Sequence, residues 1–546
     1  MRFINKIKSR LPLISILFWI GLLSFLYSQM LIQKNDGLYA GHPYVWSDWA
    51  LHIGMARIFA TKDPSVWFAT HPLYAGGKFT YGFLTNLISG LLIRVGLPIT
   101  FAFNFPSVVL AILLVIGLYY LALLLTKSKT AASLTLFIFF LSSGLGFFKF
   151  IHDFSQNPSW EMLTYPPIEY SKNDNYEWGS GNVLVGMLVP QRAFLMGLTM
   201  AVWAIISLFY GINQKLTNRN KILLITGGLL AGILPITHMH SYIALIILGM
   251  ITLIFNHKKW KNVLYFAIPA GFLGLILYLK FIAGGIENPD FMQWFPGWTA
   301  KGGLLGWLWM WWQLWGILLP FIIFIILWRR KHFTKLLLTT TCAGILIFIL
   351  ANLILFQPIH WDNSKLFLWS YLFFSITSAS GLVKLIKHKL LFIIILFLLT
   401  ATGTLEVIKL VRIDRNTYQI ISTSQMQFAE TIRYQTDSLA VFATAPVHNH
   451  PIVMWAARPI VLGYTAWAWN FGFLYQQREA DLKAIFQVRS DVLQLLAKYK
   501  VSYIYIGDNE RREYNPNISY FNQNFPLAFT DDNVLVFDTR AVMLGK

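Results

Sequence analysis

Eleven long apolar runs divide this 546-residue chain, and the intervals between them sort by charge. Six basic clusters contain no acid: Arg2, Lys6, Lys8 and Arg10; Lys127 and Lys129; Lys215, Arg219 and Lys221; Lys258, Lys259 and Lys261; Arg329, Arg330, Lys331 and Lys335; Lys384, Lys387 and Lys389. All 24 acidic residues can be placed on the opposite side. Short loops rich in Lys and Arg stay cytoplasmic. The pattern therefore predicts a multi-pass protein of the cytoplasmic (inner) membrane, with its N-terminus inside and its C-terminus extracytoplasmic. Chemistry that depends on a carboxylate would then take place at the outer face, away from ATP and nucleotide-sugars.

Composition agrees. The chain is 56% hydrophobic and 12% charged, with mean hydropathy +0.55, whereas soluble domains carry about 25% charged residues. The net charge of +20 would suggest nucleic acid in a soluble protein. Here the inside clusters supply most of it, so no nucleic-acid partner is expected. The single cysteine, Cys342, lies in an apolar run and excludes a disulfide framework or a Cys-rich metal site.

Crossing about 30 Å of hydrocarbon takes roughly 20 apolar residues. The expected spans are 11–31, 99–125, 131–149, 190–211, 222–238, 240–255, 262–282, 304–328, 336–356, 366–383 and 390–409. The first has no small-residue cleavage site after it and reads as a retained helix. The stretch 222–255 would be about 50 Å long as one helix. Pro235 and the polar run Thr237-His238-Met239-His240-Ser241 make it a hairpin instead, with the His pair recessed below the outer surface.

Two regions fall outside the spans. The first outer loop, 32–98, has helical periodicity near 48–61 and 82–95. Its apolar stretch 78–98 is interrupted by Thr85, Asn86, Ser89 and Arg94 and reads as an interfacial or re-entrant helix. Residues 411–546 hold short strand patterns at 439–444, 501–506 and 534–537 and helical patterns at 476–487 and 490–499. The expected division is a transmembrane domain over 1–410 and an extracytoplasmic α/β domain over 411–546. The fold class is thus an α-helical polytopic membrane protein with a C-terminal α/β domain.

Candidate chemistry gathers at the outer ends. In Trp46-Ser47-Asp48-Trp49-Ala50-Leu51-His52, Ser47 is a suitable N-cap, and Asp48 would open a helix whose positive end favours an ionised carboxylate. Asp48 and His52, four apart, share a face and suit general-base or metal chemistry. An amphipathic helix cap explains the same residues. His71-Pro72-Leu73-Tyr74-Ala75-Gly76-Gly77-Lys78 makes a tight turn from which Lys78 and Tyr81 can reach phosphate oxygens, or it is an ordinary interfacial turn. Gln191 and Arg192 stand at the mouth of the fourth span, His238 and His240 at the helix break, and Asp362 and Lys365 before the tenth span. Arg192 and Lys365 suit phosphate recognition or, as bland alternatives, snorkel to headgroups. No Walker loop, dinucleotide fingerprint, zincin motif or nucleophile elbow is present.

In these stretches the chain resembles the GT-C superfamily of polytopic membrane glycosyltransferases, closest to a poorly characterised prokaryotic branch of protein-mannosyltransferase-like proteins. The resemblance rests on Trp46–His52, the His71 turn, Pro190-Gln191-Arg192, Thr237–Ser241 and Trp361-Asp362-Asn363-Ser364-Lys365. In the tail it adds Gly463-Tyr464, Arg478-Glu479 and the Val501–Gly507 strand. It implies an inverting transferase that moves a sugar from a polyprenyl-phosphate-linked donor to a lipid, glycan or protein acceptor at the outer leaflet. Asp48 matches the family's first-loop acid and would be the general base, with His52 beside it. Lys78, Tyr81, Arg192 and Lys365 would bind the donor phosphate and lipid, and His71, Gln191, His238, His240 and Asp362 would bind substrate. Relatives pair two adjacent acids in the first loop. Here Trp49 stands at the second position, so no cofactor is firmly implied and a divalent metal is left open. Trp294, Trp298, Trp307, Trp309, Trp311 and Trp312 would stack on sugar or prenyl groups, or form an interfacial belt. The rival readings are a transporter or flippase for a lipid-linked or anionic solute, and a non-catalytic envelope scaffold. The concentration of polar residues at outer ends, and the lack of an internal repeat, count against the transporter.

Overall fold

A computed structural model describes residues 2–141 and 143–543. Among them, eight helices are long and apolar enough to cross a membrane: Arg10–Ser28, Ile99–Thr126, Arg192–Asn213, Asn218–Ile236, His257–Phe281, Lys335–Leu353, His360–Leu385 and Lys389–Leu410. They leave large apolar side chains outward. Ile268 and Phe272 on one helix, and Leu390 and Ile393 on another, are more than half exposed. Such stripes suit lipid rather than water. The chain is a multi-pass membrane protein.

Three of the eleven expected spans take another form. The 131–149 run gives a helix only over Lys129–Leu141; Ser142 lies outside the described residues, and helix resumes at Phe147. Beyond the helix end, Gly144 and Gly146 pass so close to neighbouring backbone that a Cβ would sit 2.1 Å from the Gln313 carbonyl oxygen and 1.8 Å from that of Tyr170. The Phe140 carbonyl freed at the helix end accepts from Asn182 Nδ2 at 2.9 Å. The 240–255 run is a 17-residue helix, Met239–Phe255, reached through a 3-10 turn at Leu234–Ile236, so the hairpin break falls where Pro235 predicts. The 304–328 run is bent by 98° between Gly303–Trp315 and Leu318–His332. Gly316 sits at the bend with φ 55°, a left-handed conformation that glycine adopts at least cost.

The chain forms two compact units. Unit 1 holds Met1–Met30, Asn104–Tyr278 and Met292–Asn416. Part of its core is aromatic: Trp311 lies 4.7 Å from each of Trp315, Phe348 and Phe367, ring centroid to centroid. Asn352 Oδ1 accepts from Trp307 Nε1 at 2.7 Å and Trp311 Nε1 at 3.0 Å. The six tryptophans therefore divide: Trp298 and Trp311 are core, Trp307 is half-buried, and Trp294, Trp309 and Trp312 are exposed.

Unit 2 holds Leu31–Phe103, Leu279–Phe291 and Thr417–Lys546. The long first loop thus belongs with the C-terminal region, a different partition from a single cut at residue 410. The reason is a three-stranded antiparallel sheet of Leu31–Lys34, Gly37–Ala40 and Tyr418–Ser422, in which Leu38 pairs with Ile421. A second sheet runs in the order Val441–Ala443, Val501–Ile506, Val534–Asp538, Leu527–Asp531. Its first pair is parallel and the others antiparallel. The helical patterns at 476–487 and 490–499 appear as Gln476–Phe486 and Val492–Lys498.

The Leu84–Arg94 helix is packed inside out. It buries Thr85, Asn86, Ser89 and Gly90 and leaves Leu91 exposed. The buried face meets the Pro43–Thr61 helix, where a Cβ on Gly90 would lie 2.6 Å from the Ala56 carbonyl oxygen. Helix backbones this close require glycine at the crossing.

Candidate functional site

The candidate residues occur in two groups, one in each unit. In unit 2, Asp48 is half-buried in the second turn of the Pro43–Thr61 helix. The cap is His42, whose side chain accepts from Tyr44 N at 3.3 Å, and Pro43 opens the helix. Ser47 is therefore not the N-cap, and Asp48 does not begin the helix. Proline at the first helical position, with its fixed φ, moved the start forward. The dipole falls off within the first turn, so it acts on Asp48 less than the sequence suggested.

His52, one turn on, is buried, and its Nδ1 donates to Asn86 Oδ1 at 3.0 Å. Asn86 in turn donates through Nδ2 to Met55 Sδ at 3.3 Å. The inside-out packing of the Leu84–Arg94 helix thus serves to anchor the imidazole. Tyr81 lies between His52, 6.2 Å away, and Phe471, 4.9 Å away, measured between ring centroids.

His71 is fully buried among Phe79, Phe471 and Phe473. Burial, reinforced by the Arg478 charge, lowers its pKa to about 3, so the ring is neutral at pH 7. Its Nδ1 accepts from Leu73 N at 3.2 Å. Tyr74, in the same turn, donates to Glu287 Oε2 at 3.1 Å and stacks on Phe473 at 4.2 Å. Arg478 lies over the Tyr74 ring and donates to the Ala75 and Val461 carbonyls at 2.8 and 2.9 Å. The turn is therefore rigid. Lys78 is exposed and donates to the Ala283 carbonyl.

In unit 1, Arg192 is the first residue of the Arg192–Asn213 helix and is only 2% exposed; Gln191 holds the N-cap position. The same helix touches the His238 break. A Cβ on Gly197 would lie 2.4 Å from His238 Cβ, and Phe194 packs on the His238 ring at 5.1 Å. His238 caps the Met239–Phe255 helix, its Nδ1 accepting from Ser241 N at 3.2 Å and from Ser241 Oγ at 2.9 Å. Ser241 Oγ accepts from Trp369 Nε1 at 3.2 Å. Two bonds into Nδ1 put the His238 proton on Nε2. The Nε2 atoms of His238 and His240 are both buried without a hydrogen-bond partner among the described residues. The two rings are 5.4 Å apart. Lys365 pairs with Asp362 at 2.7 Å, both largely buried.

Among the described residues, no three His, Cys, Asp or Glu side chains converge as a metal-ligand set. The Asn86 bond keeps the His52 proton on Nδ1 and leaves Nε2 as the ring's acceptor atom.

Other contributors left no signal in the motifs. Asn86 reads in sequence only as an interruption of an apolar stretch. Arg57 donates through Nε to the Trp455 carbonyl at 2.8 Å and pairs with Glu430 across 373 positions. Nothing local announces a partner at that separation.

No protein-family model matches the chain, and no curated protein matches it. Solved structures do. The archaeal oligosaccharyltransferase AglB from Archaeoglobus fulgidus, solved with an inhibitory peptide and a dolichol-phosphate, matches 93% of this chain and 70% of its own, at 12% identity and TM-score 0.52. The oligosaccharyltransferase of the same organism, tethered to an acceptor peptide, gives the same values. ArnT from Cupriavidus metallidurans, bound to undecaprenyl phosphate, matches 96% of this chain and 97% of its own, at 10% identity and TM-score 0.47. At 12% identity, the likeness to the archaeal enzyme establishes the fold. That fold agrees with the one that the sequence resemblance implies.

Proposed function

We propose that the chain is a membrane glycosyltransferase that moves a sugar from a polyprenyl-phosphate donor to an acceptor hydroxyl at the outer face of the cytoplasmic membrane. The observation that carries this reading is the buried polar group of unit 1. Ionisable residues within membrane helices are expensive and mark functional sites. A buried donor left without a partner costs about 1–3 kcal/mol. His238 presents a buried Nε2 donor of this kind, with the His240 ring 5.4 Å away and the buried Lys365–Asp362 pair in the same unit.

The reaction inverts the anomeric carbon. The acceptor oxygen attacks it, the bond to the phosphate oxygen breaks, and the bonding pair leaves with the lipid phosphate. The acceptor proton passes to the Asp48 carboxylate. His52, fixed through Asn86, orients the base. Arg192 and Lys365, with His238 and His240, stabilise the negative charge that grows on the phosphate. Lys78 and Tyr81 remain candidates for the donor headgroup, with Gln191 and Asp362 as supports. Residues 417–543 lie on the extracytoplasmic side in this reading.

The test is binding of polyprenyl phosphate to purified protein. Arg192→Ala and Lys365→Ala should each weaken it about tenfold or more, consistent with charged hydrogen bonds worth about 1.5–3 kcal/mol. Arg192→Lys should rescue only in part, because the planar fork is lost. Unchanged affinity in both alanine variants would remove the phosphate role.

A further inference from the structure

Unit 2 carries a cluster of four aromatic side chains: Trp46, on the Asp48 helix, with His448, Tyr464 and Trp467. His448 lies on Tyr464 with centroids 3.6 Å apart and planes 29° from parallel. Trp467 meets both edge-on, at 5.1 and 5.4 Å. Trp46 lies 5.6 Å from His448. All four are half-buried. The Phe79, Phe471 and Phe473 cluster around His71 is buried throughout, as a cluster kept for packing should be.

The open cluster is braced from behind. Trp46 Nε1 donates to the Gln419 carbonyl at 2.8 Å, and Asn449 Nδ2 to the adjacent Ile420 carbonyl at 2.6 Å. The loop bearing His448 is tied to a fully buried carboxylate. Glu510 accepts from Ala445 N at 2.6 Å, Gly507 N at 2.9 Å and His450 Nε2 at 3.1 Å. Burying a carboxylate costs several kcal/mol before such bonds offset it.

Position adds the rest. His448 and Trp467 line a narrow cleft with Ala50, Leu51, Gly54 and Met55 of the Asp48 helix. Leu51 and Met55 follow Asp48 at helical spacings that share its face. The cleft encloses about 10 Å³, room for one water at most. A ligand ring cannot enter this cleft and can only lie over the His448 and Trp467 that line it. Burial keeps His448 below its ordinary pKa.

We propose that Trp46, His448, Tyr464 and Trp467 form the acceptor subsite, a stacking platform for a pyranose ring, and that the acceptor is a glycan. This rests on the reading of Asp48 as the base. The C–H face of a sugar is apolar and rimmed by hydroxyls, which suits uncharged aromatic faces with polar edges. A peptide backbone would instead ask for a strand edge or paired amide partners.

The experiment is saturation-transfer NMR on the full chain in detergent, with methyl glycopyranosides of glucose, galactose and mannose as probes and an end-blocked Ser/Thr peptide as the contrast. Ring-proton signals are expected from at least one glycoside. They should fall at least fivefold in Trp46→Ala and Trp467→Ala, with partial recovery in Trp467→Phe and unchanged polyprenyl-phosphate affinity. If an alanine variant melts early, His448→Ala gives the same readout. Glycoside signals that are absent, or that survive all three alanine variants, overturn the platform. Peptide signals abolished by the variants overturn the glycan. Loss of glycoside signals on loading a polyprenyl-phosphate-linked sugar would give the platform to the donor and overturn the acceptor assignment. Because the readout is binding, Asp48 can fail as the base without affecting it, and the reverse.

Discussion

His71 is enclosed by phenylalanines, neutral at pH 7 and bonded to Leu73 N, so it shapes its turn and carries no charge to a phosphate. Its depressed pKa links stability to pH. The folded value, about 3, lies below the ordinary 6.5, so the unfolded chain binds the extra proton between those pH values. Stability from this site is full above pH 6.5 and falls by about 1.4 kcal/mol per unit as pH drops toward 3. Melting of the full chain at pH 7 and pH 5 should show a large drop for the native protein and a clearly smaller one for His71→Gln. Equal drops would remove His71 from the linkage. Asp48 was legible as a candidate because acids are scarce near the spans. Its local setting was not, because the Ser47 cap signal competed with Pro43, and proline governs where the helix begins.

At the scale of elements, hydropathy located most helices and missed what bends or shortens them. Gly144, Gly146 and Gly316 act through close approach or a left-handed turn, neither of which lowers apolar content much. The Leu84–Arg94 helix was legible as an interfacial candidate from its polar interruptions. Three of those interruptions, Thr85, Asn86 and Ser89, prove to be the packed face. Gly90 at the crossing should therefore be intolerant. Gly90→Ala places a Cβ 2.6 Å from the Ala56 carbonyl oxygen and should cost about 1–3 kcal/mol, in the range of overpacking. Leu91→Ala, on the exposed face, should leave melting in detergent nearly unchanged. Equal melting for both variants would contradict the inside-out packing. The strand pairing of 37–40 with 418–422 was not legible at all, since nothing in either segment encodes a partner some 380 residues away.

For the whole molecule, the fold class could be read from charge and hydropathy, and the likeness to the archaeal oligosaccharyltransferase over 93% of the chain agrees with it. In the proposed reaction Asp48 takes the acceptor proton. Because Asp48 lies inside its helix and is not the cap, Asp48→Asn keeps shape and nearly the same helix propensity while removing the basic oxygen. The direct measurement is sugar transfer from a polyprenyl-phosphate-linked donor by purified Asp48→Asn protein, with melting temperature and polyprenyl-phosphate affinity read on the same sample. Transfer should fall about 10²–10⁴-fold with both other quantities unchanged. A stable variant that binds the lipid phosphate and turns over at nearly the native rate would contradict the account.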